Sequence, residues 1–266
     1  MTVSGWVGVL NLILGSVYTS YGIMTIVDMK RGWRTHGFSH FGLAWIAMAF
    51  TCGPHHLVHG AHVLLEGRIG GPLDLAVVAF GFPAGVIWFL LRLEAVAGGP
   101  GDRRIQGTPA WVESLPTVSG VYLAALVTAV IGVGGALPFR PAITPQLFLI
   151  VLYAAIGAVL LRTQLINHAF HGGWSLSGLA LTFVFPTCGI MHGIYAFYIV
   201  SGRYAADWHG LWIDSIGVPA AAYFLWVVWS LHRGSIHDWN EAAGDTLVHE
   251  RPGDDEAGAD LLGVRI

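Results

Sequence analysis

Apolar residues fill this chain in long, nearly uninterrupted stretches, and short polar segments punctuate them. A helix rising about 1.5 Å per residue needs about 20 apolar residues to cross a hydrocarbon core of about 30 Å. Seven stretches of that kind lie near residues 4–27, 38–65, 73–97, 117–137, 146–163, 174–200 and 209–232. The second and sixth exceed the need, which fits tilt or an extra turn outside the bilayer. The pattern predicts an all-α polytopic membrane protein with seven transmembrane helices.

Composition agrees: 55% of residues are hydrophobic, only 11% are charged, and the mean hydropathy is +0.63, outside the range of soluble domains. Charge then orients the spans. Lys30, Arg31, Arg34, Arg92, Arg103, Arg104, Arg162, Arg233, Arg251 and Arg265 fall on one side of the predicted topology, and Arg68, Arg140 and Arg203 on the other. Ten against three is a strong positive-inside bias. It predicts a multi-pass protein of the cell membrane with the amino terminus outside and the carboxyl terminus cytoplasmic. Trp6, Trp33, Trp174, Trp208, Trp212 and Trp229 lie near span ends, as an aromatic belt requires. Residues 235–266 change to an acidic, Gly- and Ala-rich composition and read as a disordered cytoplasmic tail. The net charge of −3, with no basic patch, gives no support to nucleic-acid binding.

The chain is duplicated internally. A shift of 136 residues pairs Gly37 with Gly173, Gly42-Leu43-Ala44 with Gly178-Leu179-Ala180, Thr51-Cys52-Gly53 with Thr187-Cys188-Gly189, His56 with His192, and Pro83-Ala84 with Pro219-Ala220. Two three-helix membrane repeats follow, over residues 1–98 and 142–234, with a linker and connector transmembrane helix over 99–141. The three spans of the first repeat and the connector make four, an even number, so both repeats start on the same side and run in the same direction as parallel repeats.

Chemistry concentrates on one face of the second helix of each repeat. At about 100° per residue, Met48, Cys52, His55, His56, His59 and His62 share an arc of about 120°. The second copy presents Cys188, Met191, His192, Tyr195 and Tyr198. Thiol, thioether and imidazole together suit Cu(I), with Zn(II) as a competitor, in one shared site or two. The candidate metal ligands are Cys52, His55, His56, His59, Cys188, Met191 and His192. A disulfide is the competing account of the cysteines, and Asp74 and Asp214, near helix starts, read as caps.

Cys52-Gly53-Pro54-His55-His56-Leu57-Val58, in the second of three membrane helices, resembles the copper-binding membrane domain of ethylene receptors. The resemblance implies that Cys52 and His56 hold Cu(I) in the first copy and Cys188 and His192 in the second. It further implies a sensor or small-ligand binding module, here without an output domain of its own, whose partner is a signalling or metal-delivery protein. The family works as a dimer, so a homodimer is one expectation; the duplication is an alternative way of providing the second copy within one chain. The family also carries an acidic residue and a tyrosine in the first helix. The nearest residues here, Asn11 and Tyr18, are one place off register, and the second copy shows no counterpart. The family's third-helix lysine is missing, because Lys30 is the only lysine in the chain.

Two other readings share these residues. A three-plus-one-plus-three arrangement of parallel repeats also builds transporters, with the histidines passing metal ions or protons. Alternatively, His56 and His192 hold a b-type haem in a membrane redox protein. No nucleophile and base pair and no phosphate-binding loop stands out, so the sequence offers no catalytic residue.

Overall fold

Thr2, Ser39 and Ser175 each turn a hydroxyl onto a backbone N–H three residues on, at 3.1, 2.8 and 2.9 Å, and a long helix starts after each of them. The computed structural model describes residues 1–67, 70–108, 110–114, 117, 119, 120, 122, 124, 126, 127, 142–202, 208–236 and 238. Its elements are α1 (Val3–His36), α2 (His40–Leu65), α3 (Pro72–Val96), β1 (Arg104–Gln106), α4 (Ala110–Glu113), α5 (Thr144–His171), β2 (Gly173–Ser175), α6 (Leu176–Val200) and α7 (Trp208–His232). Most of the predicted connector helix and the tail after Asp238 lie outside the described residues.

The architecture is helical, with one addition to the all-α expectation. β1 and β2 form a small antiparallel ribbon that pairs Arg104 with Ser175 and Gln106 with Gly173. Among the described residues, five helices are long and apolar enough to cross a membrane: α1, α3, α5, α6 and α7. The 26-residue α2 is long enough but less apolar, because His55, His56, His59 and His62 all lie on it.

Helix bounds follow the internal shift. Adding 136 to the bounds of α3 gives those of α7, and adding it to those of α2 gives those of α6 to within one residue. The first helices obey a different shift. α1 ends at His36 and α5 at His171, each followed by a glycine of positive φ, Gly37 at 73° and Gly172 at 66°. That shift is 135, so Gly37 corresponds to Gly172 rather than Gly173, and the extra residue sits in the turn before β2.

Within each half the helices pack together, and between halves α2 packs on α7 while α3 packs on α6. Lipid gives no hydrophobic drive for such contacts, so close packing and polar bonds must hold them. Arg92 of α3 bonds Asp28 of α1 and lies over the Tyr21 ring at 5.8 Å. Asp74 accepts the Gly71 N–H at 2.8 Å, the cap expected of it, and also the Tyr198 hydroxyl of α6 at 3.1 Å.

The halves also cap each other. Asp102, beyond α3, accepts the Ser177 N–H at the start of α6, and Asp238, beyond α7, accepts the Phe41 N–H at the start of α2, both at 2.8 Å. Both the aspartates and the amides are 136 residues apart. Each half therefore places a carboxylate at the positive end of the other half's second helix. These caps and Arg92 mark one end of the bundle, here the Arg92 end; Glu66 and Asp74 mark the other, the Glu66 end.

Trp6, Trp33, Trp212 and Trp229 are exposed near helix ends, consistent with a belt. Trp174 is not part of it: it is buried and stacks on His168 at 4.3 Å. Trp208 begins α7.

Candidate metal-binding site

Where α2 and α6 face each other, midway along both helices, Cys52, His55, His56, Cys188, Met191 and His192 line one cavity of about 10 Å³. That is room for one ion or one water. Six of the seven residues predicted as ligands thus meet at one place. His59 does not line the cavity; it lies one turn further toward the Glu66 end. Both cysteines line this cavity as free thiols, and no disulfide joins them.

The orientation of both motif histidines is fixed from behind. Asn11 of α1 donates its amide N–H to the Val7 carbonyl at 2.8 Å, which leaves Oδ1 to face His56 Nδ1 at 2.7 Å. Gln146 of α5 donates its amide N–H to Asp214, which leaves Oε1 to face His192 Nδ1 at 2.5 Å. In both cases Nδ1 carries the proton and Nε2 keeps its lone pair, the form in which histidine ligates metals.

The shift of 135 also relates Asn11 to Gln146 and Tyr18 to Tyr153, so the second copy does carry an amide and a tyrosine. The tyrosines cross between halves. Tyr153 of α5 meets Cys52 Sγ at 3.1 Å, and Tyr18 of α1 lines, with both cysteines, a second small cavity walled by Met48, Val184 and Phe185.

Asp214 is the residue sequence reasoning misplaced. It is not a helix cap but a buried member of the site, 2.8 Å from His55 Nδ1 and 4.0 Å from His192 Nδ1. Donor atoms of His55, His192 and Asp214 lie within 4.8 Å of one another, a set able to hold a metal ion. A signal for it existed. The repeat places Met191 opposite His55 and Val78 opposite Asp214, so an imidazole and a carboxylate are both introduced where the other copy is apolar.

At and just above the cavity, His55 Nε2 and both ring nitrogens of His59 are buried with no hydrogen-bond partner among the described residues. A buried acceptor left unpaired costs about 1–3 kcal/mol, which a cation at His55 would offset. Two thiols, a thioether and three imidazoles around an ion-sized space fit a soft metal. Comparisons with protein-family models, curated proteins and solved structures found no match.

Proposed function

We propose that this chain is a multi-pass protein of the cell membrane that holds Cu(I) between two parallel three-helix repeats. In this reading it acts as a sensor or small-ligand binding module resembling the ethylene-receptor membrane domain. The observation that carries the reading is the single cavity onto which both Cys-Gly-x-x-His motifs open. The equal spacing of helices, caps and motifs supports the repeats, and the charge bias supports an amino terminus outside. Cys52, Cys188, Met191, His56 and His192 would hold the ion, with Asn11 and Gln146 orienting the imidazoles. Bound there, Cu(I) supplies a soft centre for a small unsaturated ligand. The apolar cavity beside the cysteines adjoins that position.

A haem between His56 and His192 is disfavoured, because a macrocycle needs far more room than the cavity they share. The deciding experiment is elemental analysis of the purified protein with absorption and electron paramagnetic resonance spectra. About one copper per chain, without a d–d band or a paramagnetic signal, is expected of a d¹⁰ ion in a soft site. Zinc, iron or no metal in folded protein overturns the reading.

Asp214→Asn tests the support behind the ligands. The carboxylate holds both His55 and the Gln146 amide, and Gln146 in turn holds His192. Loss of such outer partners typically costs 10–100-fold in metal affinity, and about tenfold is expected here because the amide keeps the shape. Competition with a Cu(I) chelator measures it.

A further inference from the structure

We infer that the metal exchanges with one face of the membrane only, through a ladder of imidazoles leading to the Glu66 end, while a layer of aromatic rings seals the Arg92 end. This rests on the copper site proposed above and adds the side from which that site is filled and emptied.

On the Glu66 side, His55, His59, His62 and Glu66 follow one another along α2 at intervals of four, three and four residues, which keeps them on one helix face. Over those residues the helix rises about 16 Å, half the thickness of a hydrocarbon core. The ladder passes from the His55 side chain, 11% exposed, through the buried His59 and opens at its far end, where His62 is 14% and Glu66 47% exposed. Tyr195 of α6 packs against the first two rungs, with ring centroids 5.3 Å from His55 and 4.8 Å from His59. His59 is the residue that calls for a ligand: it is 96% buried, and neither ring nitrogen has a partner among the described residues. A packing histidine in an apolar interior satisfies at least one nitrogen. One that keeps both lone-pair and N–H positions open, a single turn above a metal cavity, is suited to transient ligation.

Among the described residues that line the cavities on the other side there is no imidazole, and Met48 beside the cysteines and Met29 at the Arg92 end offer only thioethers. Trp45 of α2 lines the apolar cavity beside the cysteines, and it also lines a cavity of about 410 Å³ that lies at the Arg92 end. The barrier between them is a buried ring cluster: Trp45 meets Trp88 at 3.8 Å, Trp88 stacks on Tyr21 at 4.3 Å, and Phe224 lies 5.8 Å from Trp45 and 5.0 Å from Phe185. A cation crossing that layer would give up its ligands without replacement, at the cost of burying an uncompensated charge. Stepping along the imidazoles exchanges one donor for the next.

The test uses the full chain in lipid vesicles, loaded with Cu(I) and then exposed to a membrane-impermeant Cu(I) chelator. Protease access to the carboxyl-terminal tail, which continues from Asp238 at the Arg92 end, sorts the two orientations. Copper is expected to leave only those molecules whose tail is protected inside the vesicle. His59→Leu is expected to slow both loading and loss by roughly tenfold. Trp45→Ala is expected to let the opposite orientation lose copper as well. Loss from both orientations of the wild-type protein, or loss at an unchanged rate in His59→Leu, overturns the inference while leaving the copper site standing. A wild-type protein that takes up no copper instead overturns the site itself. If Trp45→Ala does not fold, the wild-type sidedness and the His59→Leu rates still decide the matter.

Discussion

The Cys52→Ser/Cys188→Ser protein is expected to purify folded but without copper, at under about a tenth of the wild-type content, because hydroxyl is a poor ligand for a soft ion. Serine is close in shape to cysteine and can keep the bond to Tyr153, which meets Cys52 at 3.1 Å, so the helices should pack as before. The two sulfurs come from different halves, α2 and α6, and line one cavity with Met191 and three imidazoles. Each single variant should therefore weaken the same ion rather than empty one of two. Copper content by elemental analysis, read beside the melting temperature in detergent, separates loss of a ligand from loss of the fold. A double variant with wild-type copper would remove the cysteines from the site. Single variants that each lose half of two tightly bound ions would replace the shared site with separate ones.

Much of this site is legible in the sequence because it depends on spacing within single helices. Cys52 and His56 are one turn apart on α2, Cys188 and His192 one turn apart on α6, and the shift of 136 residues predicts that the two pairs occupy equal depths. The residues behind the site are harder to read because they come from other helices. Asn11 and Gln146 follow a shift of 135, and the residue that breaks the register lies in the turn where Gly37 and Gly172 end their helices. A turn absorbs an extra residue at little cost, whereas a helix would rotate every side chain after it by about 100°. Aligning the halves without a gap therefore hides the matching amides and tyrosines. Asp214 was hidden for another reason: near the start of a helix a carboxylate reads as a cap, and only the packing of α7 on α2 places it beside His55.

The glycine that follows the cysteine occurs in both copies, yet the two are expected to tolerate alanine very differently. α1 crosses α2 at Gly15, and a Cβ on Gly53 would press on Thr19 Oγ1, lie 3.1 Å from the Thr19 nitrogen and lie 3.2 Å from the Gly15 carbonyl oxygen. Two of these atoms belong to backbone, which cannot turn aside, so the helices must part. In the second copy the corresponding residue on α5 is Ile150 in place of Gly15, and it holds α5 further from α6. A Cβ on Gly189 would meet its nearest neighbours, the Ile150 carbonyl oxygen, the Tyr122 hydroxyl and Tyr153 Cβ, at 3.6 Å, ordinary contact. Gly189→Ala is therefore expected to be neutral or to stabilise by about 0.5–1 kcal/mol through helix propensity. Gly53→Ala should cost about 2–3 kcal/mol, the upper range for overpacking, because rigid atoms oppose it. Parting α1 from α2 also draws Asn11 away from His56 and frees the ring that it orients, so copper affinity should fall with stability in Gly53→Ala and hold in Gly189→Ala. Thermal unfolding in detergent and chelator competition on the two proteins measure both effects. Equal melting temperatures would mean that α1 and α2 do not approach as closely as Gly15 and Gly53 allow.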